Sequence, residues 1–270
     1  MKTVNGKVIL VTGSGRGFGR AMAYAYAVAG AKGVSVSRTV SELESLEKSI
    51  KEKGGEVLTV PTDLTDDNAI NALKDKVLDE FGCLDVLVNN AATSPWKRFD
   101  EMTARDWDLT IDVNLRAPFI LSKAFVGSMR KLGQGSIINV TSKSSEIGFL
   151  AEVGYCPSKF GIEGLTQCLA MELQNDNIAV NSLGVGAPEG LRLKPTELTL
   201  EEASNMPEEI RSQYADDDSM ARAFTDAWSF LALQNAKGVT AQRFGTRQLA
   251  EYLRRNGWEA ATAMWSRKLT

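Results

Sequence analysis

Val8-Ile9-Leu10-Val11-Thr12-Gly13-Ser14-Gly15-Arg16-Gly17-Phe18-Gly19 runs directly into a helical pattern over residues 20–29. Four consecutive apolar residues suit a strand covered on both faces, and the glycines that follow suit a tight turn into a helix. Four glycines within seven positions cost conformational entropy that an ordinary turn need not incur. Bare backbone lets a pyrophosphate approach, and the N-terminus of the next helix favours its negative charge. Alone, such a turn is only a turn; between the first strand and first helix of a βαβ unit it marks a dinucleotide site.

The alternation continues outward from this stretch. Residues 34–37, 57–60, 86–88, 137–140 and 178–183 read as buried strands. Between them Leu43, Leu46 and Ile50 share one helical stripe, and Ile70, Leu73, Val77 and Phe81 share another, with Thr65 as the expected N-cap. Residues 103–131 read as a long helix interrupted near Pro118, and residues 157–173 as a second. Strand, helix and strand repeated in this way predict one α/β domain over residues 1–270, a doubly wound, Rossmann-like parallel sheet between two helical layers. Periodicity weakens after Gly184, which predicts either a substrate lid with short helices over about 187–220 or a poorly ordered stretch. A helical extension over about 246–267 follows.

With 270 residues, 43% of them hydrophobic and 24% charged, the chain can bury a core of single-domain size. A net charge of −3 with scattered Lys and Arg gives no footprint for nucleic acid or an anionic membrane. The apolar runs are strand-sized, and the first eleven residues lack a signal-peptide pattern, so a cytoplasmic protein is expected. Cys83, Cys156 and Cys168 show neither metal-ligand nor redox-motif spacing and are expected as small buried residues. The chain has no histidine, which excludes a Ser-His-Asp triad and His-rich zinc sites; no metal is expected. Acid-base chemistry near neutral pH then falls to Tyr, Lys, Cys or a carboxylate.

The spacing Thr12-Gly13-x-x-x-Gly17-x-Gly19 resembles that of the short-chain dehydrogenase/reductase family, and the resemblance extends over nearly the whole chain. Asp63 matches the family residue that contacts adenine, and Asn89-Asn90-Ala91-Ala92 resembles the family's Asn-Asn-Ala-Gly, with Ala92 in the last place. In order and context Asn114, Ser142, Tyr155 and Lys159 resemble its catalytic tetrad. The resemblance implies cofactor contacts from Thr12, Gly13, Ser14, Gly15, Arg16, Gly17, Phe18, Gly19, Ser37, Arg38, Asp63, Leu64, Asn90, Tyr155, Lys159 and Val185. It also implies that Lys159 bonds the nicotinamide ribose, that Ser142 holds the substrate oxygen, and that Asn114 anchors a water linking Lys159 to solvent. Purely structural alternatives stand beside these: Asp63 as a helix cap, Asn89 and Asn90 as satisfiers of strand-end backbone.

The chemistry supports the same residues. Tyr155 and Lys159, four apart, fall on one helix face, and Ser142 lies thirteen positions earlier at a strand end. An alcohol that loses hydride must also lose its hydroxyl proton, so a proton acceptor is needed at the oxygen. Tyrosine titrates near ~10, and a neighbouring ammonium together with an oxidised nicotinamide favours its phenolate.

Cofactor choice rests on the end of the second strand. NAD-using folds commonly place a carboxylate there, whereas this chain has Ser37 and Arg38, with Arg16 in the glycine turn. NADP(H) is therefore expected, NAD(H) less so. Two departures from the family stand out. Gly190 falls where a Thr usually holds the nicotinamide carboxamide, leaving Thr196 or backbone to substitute, and no Asp-Gly-Gly precedes the tail, whose Trp258 and Trp265 suit core or subunit contact. The expected function is hydride transfer to or from a small alcohol or carbonyl compound, with a non-catalytic dinucleotide-binding scaffold or sensor as the alternative. Substrate is expected near residues 94–96, 146–153 and the 187–220 segment. Helices over residues 106–131 and 157–173 are expected to pair in a homo-oligomer, dimer or tetramer.

Overall fold

The computed structural model describes residues 3–195 and 198–266. Its elements run β1 (Val8–Thr12), α1 (Gly17–Val28), β2 (Lys32–Ser37), α2 (Val40–Glu52), β3 (Glu56–Pro61), α3 (Asp67–Phe81) and β4 (Val86–Asn89). They continue with α4 (Ala104–Ile111), α5 (Ala117–Leu132), β5 (Gly135–Thr141), α6 (Tyr155–Leu173), β6 (Ile178–Gly184), α7 (Leu200–Ser204) and α8 (Glu208–Arg211). The last are α9 (Asp217–Ala232), β7 (Arg243–Gly245) and α10 (Thr246–Trp265). All strand pairings are parallel, in the order β3-β2-β1-β4-β5-β6-β7.

Alternate strand residues feed opposite layers, as a pleated strand dictates. Ile9, Val11, Val88 and Ile138 pack with α1, α2, α9 and α10, while Val8, Leu10, Leu87 and Ile137 pack with α3, α5 and α6. This is the expected three-layer α/β/α architecture.

The expectations for Thr65 and for two of the cysteines are corrected, and the helix interruption near Pro118 is located. Thr65 does not cap α3: its N–H and hydroxyl both bond Asp63 Oδ1, and Asp66 accepts from Asn68 N at 2.8 Å instead. The long helix is interrupted before Pro118, where Asp112–Arg116 forms a π-helical turn between α4 and α5. Only Cys156 is buried; Cys83 is half-buried and Cys168 exposed, because Cys168 lies off the α6 stripe of Ile162, Thr166 and Ala170.

The largest difference is α9 with β7. The acidic run Asp216-Asp217-Asp218 is not lid but the capped start of α9: Asp216 accepts from Ser219 N at 2.7 Å. Asp217 meets the buried Arg20 of α1 at 2.8 Å, and Asp218 accepts from Tyr24 Oη at 2.5 Å. Beyond them Trp228, fully buried, sits 5.5 Å edge-on to Phe18. Trp265 packs on Tyr252 and Phe244, so the tail tryptophans belong to the core layer; α10 is broken at Gly257, whose φ is +78°.

Candidate active site and dinucleotide cleft

The strand order reverses between β1 and β4, and the loops leaving their C-terminal ends part there, the place where doubly wound sheets bind ligands. Gly13 needs its positive φ of +64°, and a Cβ on it would come within 2.7 Å of Ala91 Cα. A side chain on Gly19 would collide with Asn90 Nδ2 and the Gly13 carbonyl. Asn90 Nδ2 donates to the Thr12 and Gly13 carbonyls at 2.9 and 3.2 Å, and Thr12 Oγ1 accepts from Asn90 N and Ala91 N, both at 3.0 Å. The two strand ends are thus latched together. Ser14 Oγ is turned inward onto Val36 O, and the Phe18 ring faces Trp228. The side chains of Thr12, Ser14, Phe18 and Asn90 therefore do structural work, which leaves the loop's backbone to face a ligand.

The N-terminus of α1 bears no side-chain cap and no acid in its first turn, whereas Thr103, Thr199 and Asp216 close capping boxes on α4, α7 and α9. A helix start with open N–H groups and a positive dipole end at the switch point fits a pyrophosphate.

At the end of β2, Ser37 is half-buried and Arg38 exposed, and among the described residues Arg38 forms no ion pair. An unanticipated acid joins them. Glu42, in the first turn of α2 and 7% exposed, pairs with Arg16 at 3.3 Å. A Cβ on Gly15 would collide with Glu42 Oε2 and lie 2.7 Å from Ser37 Oγ, so hydroxyl and carboxylate flank the same glycine. The sequence hides this because Glu42 is five positions beyond Ser37, and only the helical turn brings it back. Asp63 is exposed; the Thr65 N–H first, and Arg38 more weakly, hold its carboxyl below the usual range. Leu64 is buried, Val185 is exposed at the exit of β6, and Thr196 lies outside the described residues.

The four tetrad positions converge at the C-terminal ends of β4 and β5. Tyr155 opens α6, and Lys159 Nζ stands 5.5 Å from its ring centroid. Lys159 is buried and donates to Val140 O at 3.0 Å. Burial pushes its pKa down to about 8, against the opposing pull of Glu163. Ser142 follows β5; its Oγ accepts from Ser144 N at 3.2 Å and donates to Ser144 Oγ at 3.3 Å. Asn114 sits in the π turn with its amide engaged: Oδ1 accepts from Thr93 N at 2.8 Å, and Nδ2 donates to Thr93 O and Ser158 Oγ at 2.9 and 3.0 Å. It bolts the loop after β4 to α6. Engagement of this kind explains a π turn at a site, since the extra residue re-aims one side chain without ending the helix.

Two supports escaped the sequence reading. Arg243 of β7 donates to the Ser142 carbonyl at 3.2 Å and to Glu163 Oε1 at 2.9 Å, and Glu163 also accepts from Ser145 and Ser182. Glu163 lies four residues after Lys159, a spacing that signals it; Arg243 carries no local signal. A parallel bridge ties Glu152, in the 146–153 segment expected to face substrate, to Lys97, the residue after the 94–96 segment; Trp96, Ile147, Phe149 and Leu150 are exposed there. Among the described residues no group of His, Cys, Asp or Glu could hold a metal ion, and no helix is long and apolar enough to cross a membrane.

The model of the short chain dehydrogenase family matches residues 7–192. An oxidoreductase of Thermotoga maritima is 38% identical over 209 residues, 76% of this chain and 79% of that one. The D-threitol dehydrogenase of Mycolicibacterium smegmatis is 34% identical over 67% of this chain and 69% of its own length. A metagenomic short-chain oxidoreductase solved in complex with NADP superposes with a TM-score of 0.72 at 29% identity, covering 90% of this chain and 98% of that one. With the glycine turn and the strand order in place, the chain belongs to the short-chain dehydrogenase/reductase family of oxidoreductases.

Proposed function

We propose that the protein interconverts a small alcohol and its carbonyl compound with NADP(H), Tyr155 being the proton-transfer group. The observation that carries this reading is the buried Lys159 ammonium 5.5 Å from the Tyr155 ring, one helical turn away. A cation held in a site of low dielectric stabilises the phenolate it faces more strongly than it would in water. The dinucleotide, when bound, supplies or accepts the hydride. Ser142 holds the substrate oxygen by hydrogen bonding, Tyr155 gives or takes the proton at that oxygen, and Lys159 offsets the charge on Tyr155. Arg16, Ser37 and Arg38 would hold the adenosine 2′-phosphate. Glu42 on Arg16 favours a second reading, the same chemistry with NAD(H), to the extent that it engages one of the two cations. Three free thiols suit a reducing cytoplasm.

The test is a panel of ketones against NADPH and of alcohols against NADP. At least one class should give turnover, with NADP(H) preferred; cofactor binding without turnover on any substrate would favour the scaffold reading.

The same chain is proposed to form a homodimer or homotetramer. Trp107, Leu109, Phe119, Phe160 and Met171 are exposed on α4, α5 and α6, and such apolar faces are ordinarily covered by symmetric association. Light scattering at micromolar concentration should give two or four times 29.3 kDa; a monomer would overturn this.

A further inference from the structure

Glu152 is a buried carboxylate, 5% exposed, that the mechanism above does not use. Among the described residues it has no ion pair. Its Oε2 accepts from the Ser144 hydroxyl at 2.6 Å and from the Cys156 thiol at 3.3 Å. Burial, and secondarily Glu152 itself, hold that thiol above its usual range, consistent with its acting as donor. Ser144, also buried, is the residue bonded to Ser142. A carboxylate kept from water with only neutral partners is costly, and residues retained at such a cost concentrate where they set chemistry.

We propose that Glu152 is a positioning residue for the reaction, fixing through Ser144 the direction in which the Ser142 hydroxyl donates. A serine hydroxyl has one proton and two lone pairs. The Ser144 proton is committed to Glu152, so Ser144 Oγ can only accept from Ser142. The Ser144 N–H meanwhile fills one lone pair of Ser142 at 3.2 Å. What remains on Ser142 is its proton and one lone pair, and because Ser144 needs nothing from that lone pair, the proton is the group Ser142 can turn to a carbonyl oxygen, which only accepts. Its contact with Ser144, at 3.3 Å, is long for two hydroxyls, so Ser142 readily redirects this hydrogen bond to a nearer substrate oxygen while keeping its proton. Replacing the carboxylate by an amide removes the charge that holds the Ser144 proton and adds an NH2 that can itself donate to Ser144 Oγ, so the order of donors is lost.

This inference rests on the proposed role of Ser142 at the substrate oxygen. Its test is a double-mutant cycle on carbonyl reduction with Glu152→Gln, Ser144→Ala and their combination, read beside Ser142→Ala. Each single variant should lower kcat about tenfold, the loss of one aligned hydrogen bond, with cofactor affinity by fluorescence titration and Tm little changed. The double variant should be no slower than the slower single one, because both act through one chain. Additive losses, or a fall in Tm that tracks the fall in kcat, would overturn the proposal, since Glu152 would then act on substrate directly or merely hold the loop. Should Glu152→Gln fail to fold, Ser144→Ala alone decides: unchanged kcat refutes the relay. Retained activity in Ser142→Ala would instead refute the reading of Ser142, a separate failure.

Discussion

Tyr155→Phe lowers turnover about a thousandfold, within the range that positioned proton transfer contributes, and leaves cofactor affinity essentially unchanged. The expectation follows from what the substitution removes. The ring that lies 5.5 Å from Lys159 Nζ stays, together with its place at the start of α6 and the packing around it; only the hydroxyl leaves. Lys159 remains buried on the Val140 carbonyl, so the implied ribose contact survives. Steady-state rates on whichever substrate the panel identifies, beside a titration of the cofactor's effect on protein fluorescence, separate the two quantities. Comparable turnover in the variant would end the proposed mechanism, and a parallel loss of cofactor affinity would move Tyr155 from chemistry to binding.

The pair was legible because its two residues are neighbours on one helix, and the glycine turn because its spacing has a backbone reason. Sheet, layers and the first six strands followed from apolar runs that need cover on both faces. What escaped was of another kind. α9 does carry a helical stripe, Met220, Phe224, Ala227 and Leu231, but it starts inside the Gly/Pro-bearing stretch, where the aspartates at 216–218 resemble loop more than the cap and first turn they form. β7 is three residues long and gains its place from β6. Glu42 and Arg243 are distant in sequence from the groups they touch, and contacts of that range appear only when the chain is folded; Glu152 is only eight and four residues from Ser144 and Cys156, but it lies in an aperiodic loop that gives no sign of its burial.

Ser37→Asp combined with Arg38→Ala should erase or reverse the preference for NADP(H). Each charged hydrogen bond to a 2′-phosphate contributes about 1.5 kcal/mol, so two contacts favour NADP(H) by about a hundredfold and one by about tenfold. Arg16 is already paired with Glu42 at 3.3 Å, whereas Arg38 forms no ion pair among the described residues, so Arg38 carries the larger share. The unmodified protein should therefore show a ratio of kcat/KM values between those two figures. In the double variant, the carboxylate introduced in place of Ser37 would stand beside Glu42 at the same glycine. Two carboxylates there would repel a phosphate, while the new one accepts from ribose hydroxyls. Measured kcat/KM for both cofactors decides it: equal or better use of NAD(H) by the unmodified protein would show that these arginines do not select the cofactor.

The π turn at Asp112–Arg116 also makes the site sensitive to chain length. A helix of this kind holds one residue more than its axial span requires, so losing any single residue there would relax it to α geometry. Each residue advances an α-helix by about 100°, so everything on one side of the deletion would swing by that angle against the other. With α5 pinned by Leu121, Phe125 and Met129, the swing would fall on α4, and Asn114 would turn away from Thr93 and Ser158. An ordinary surface helix absorbs such an indel by fraying at an end. Here the spare residue is what lets the helical run present one amide to a loop and to α6 at once.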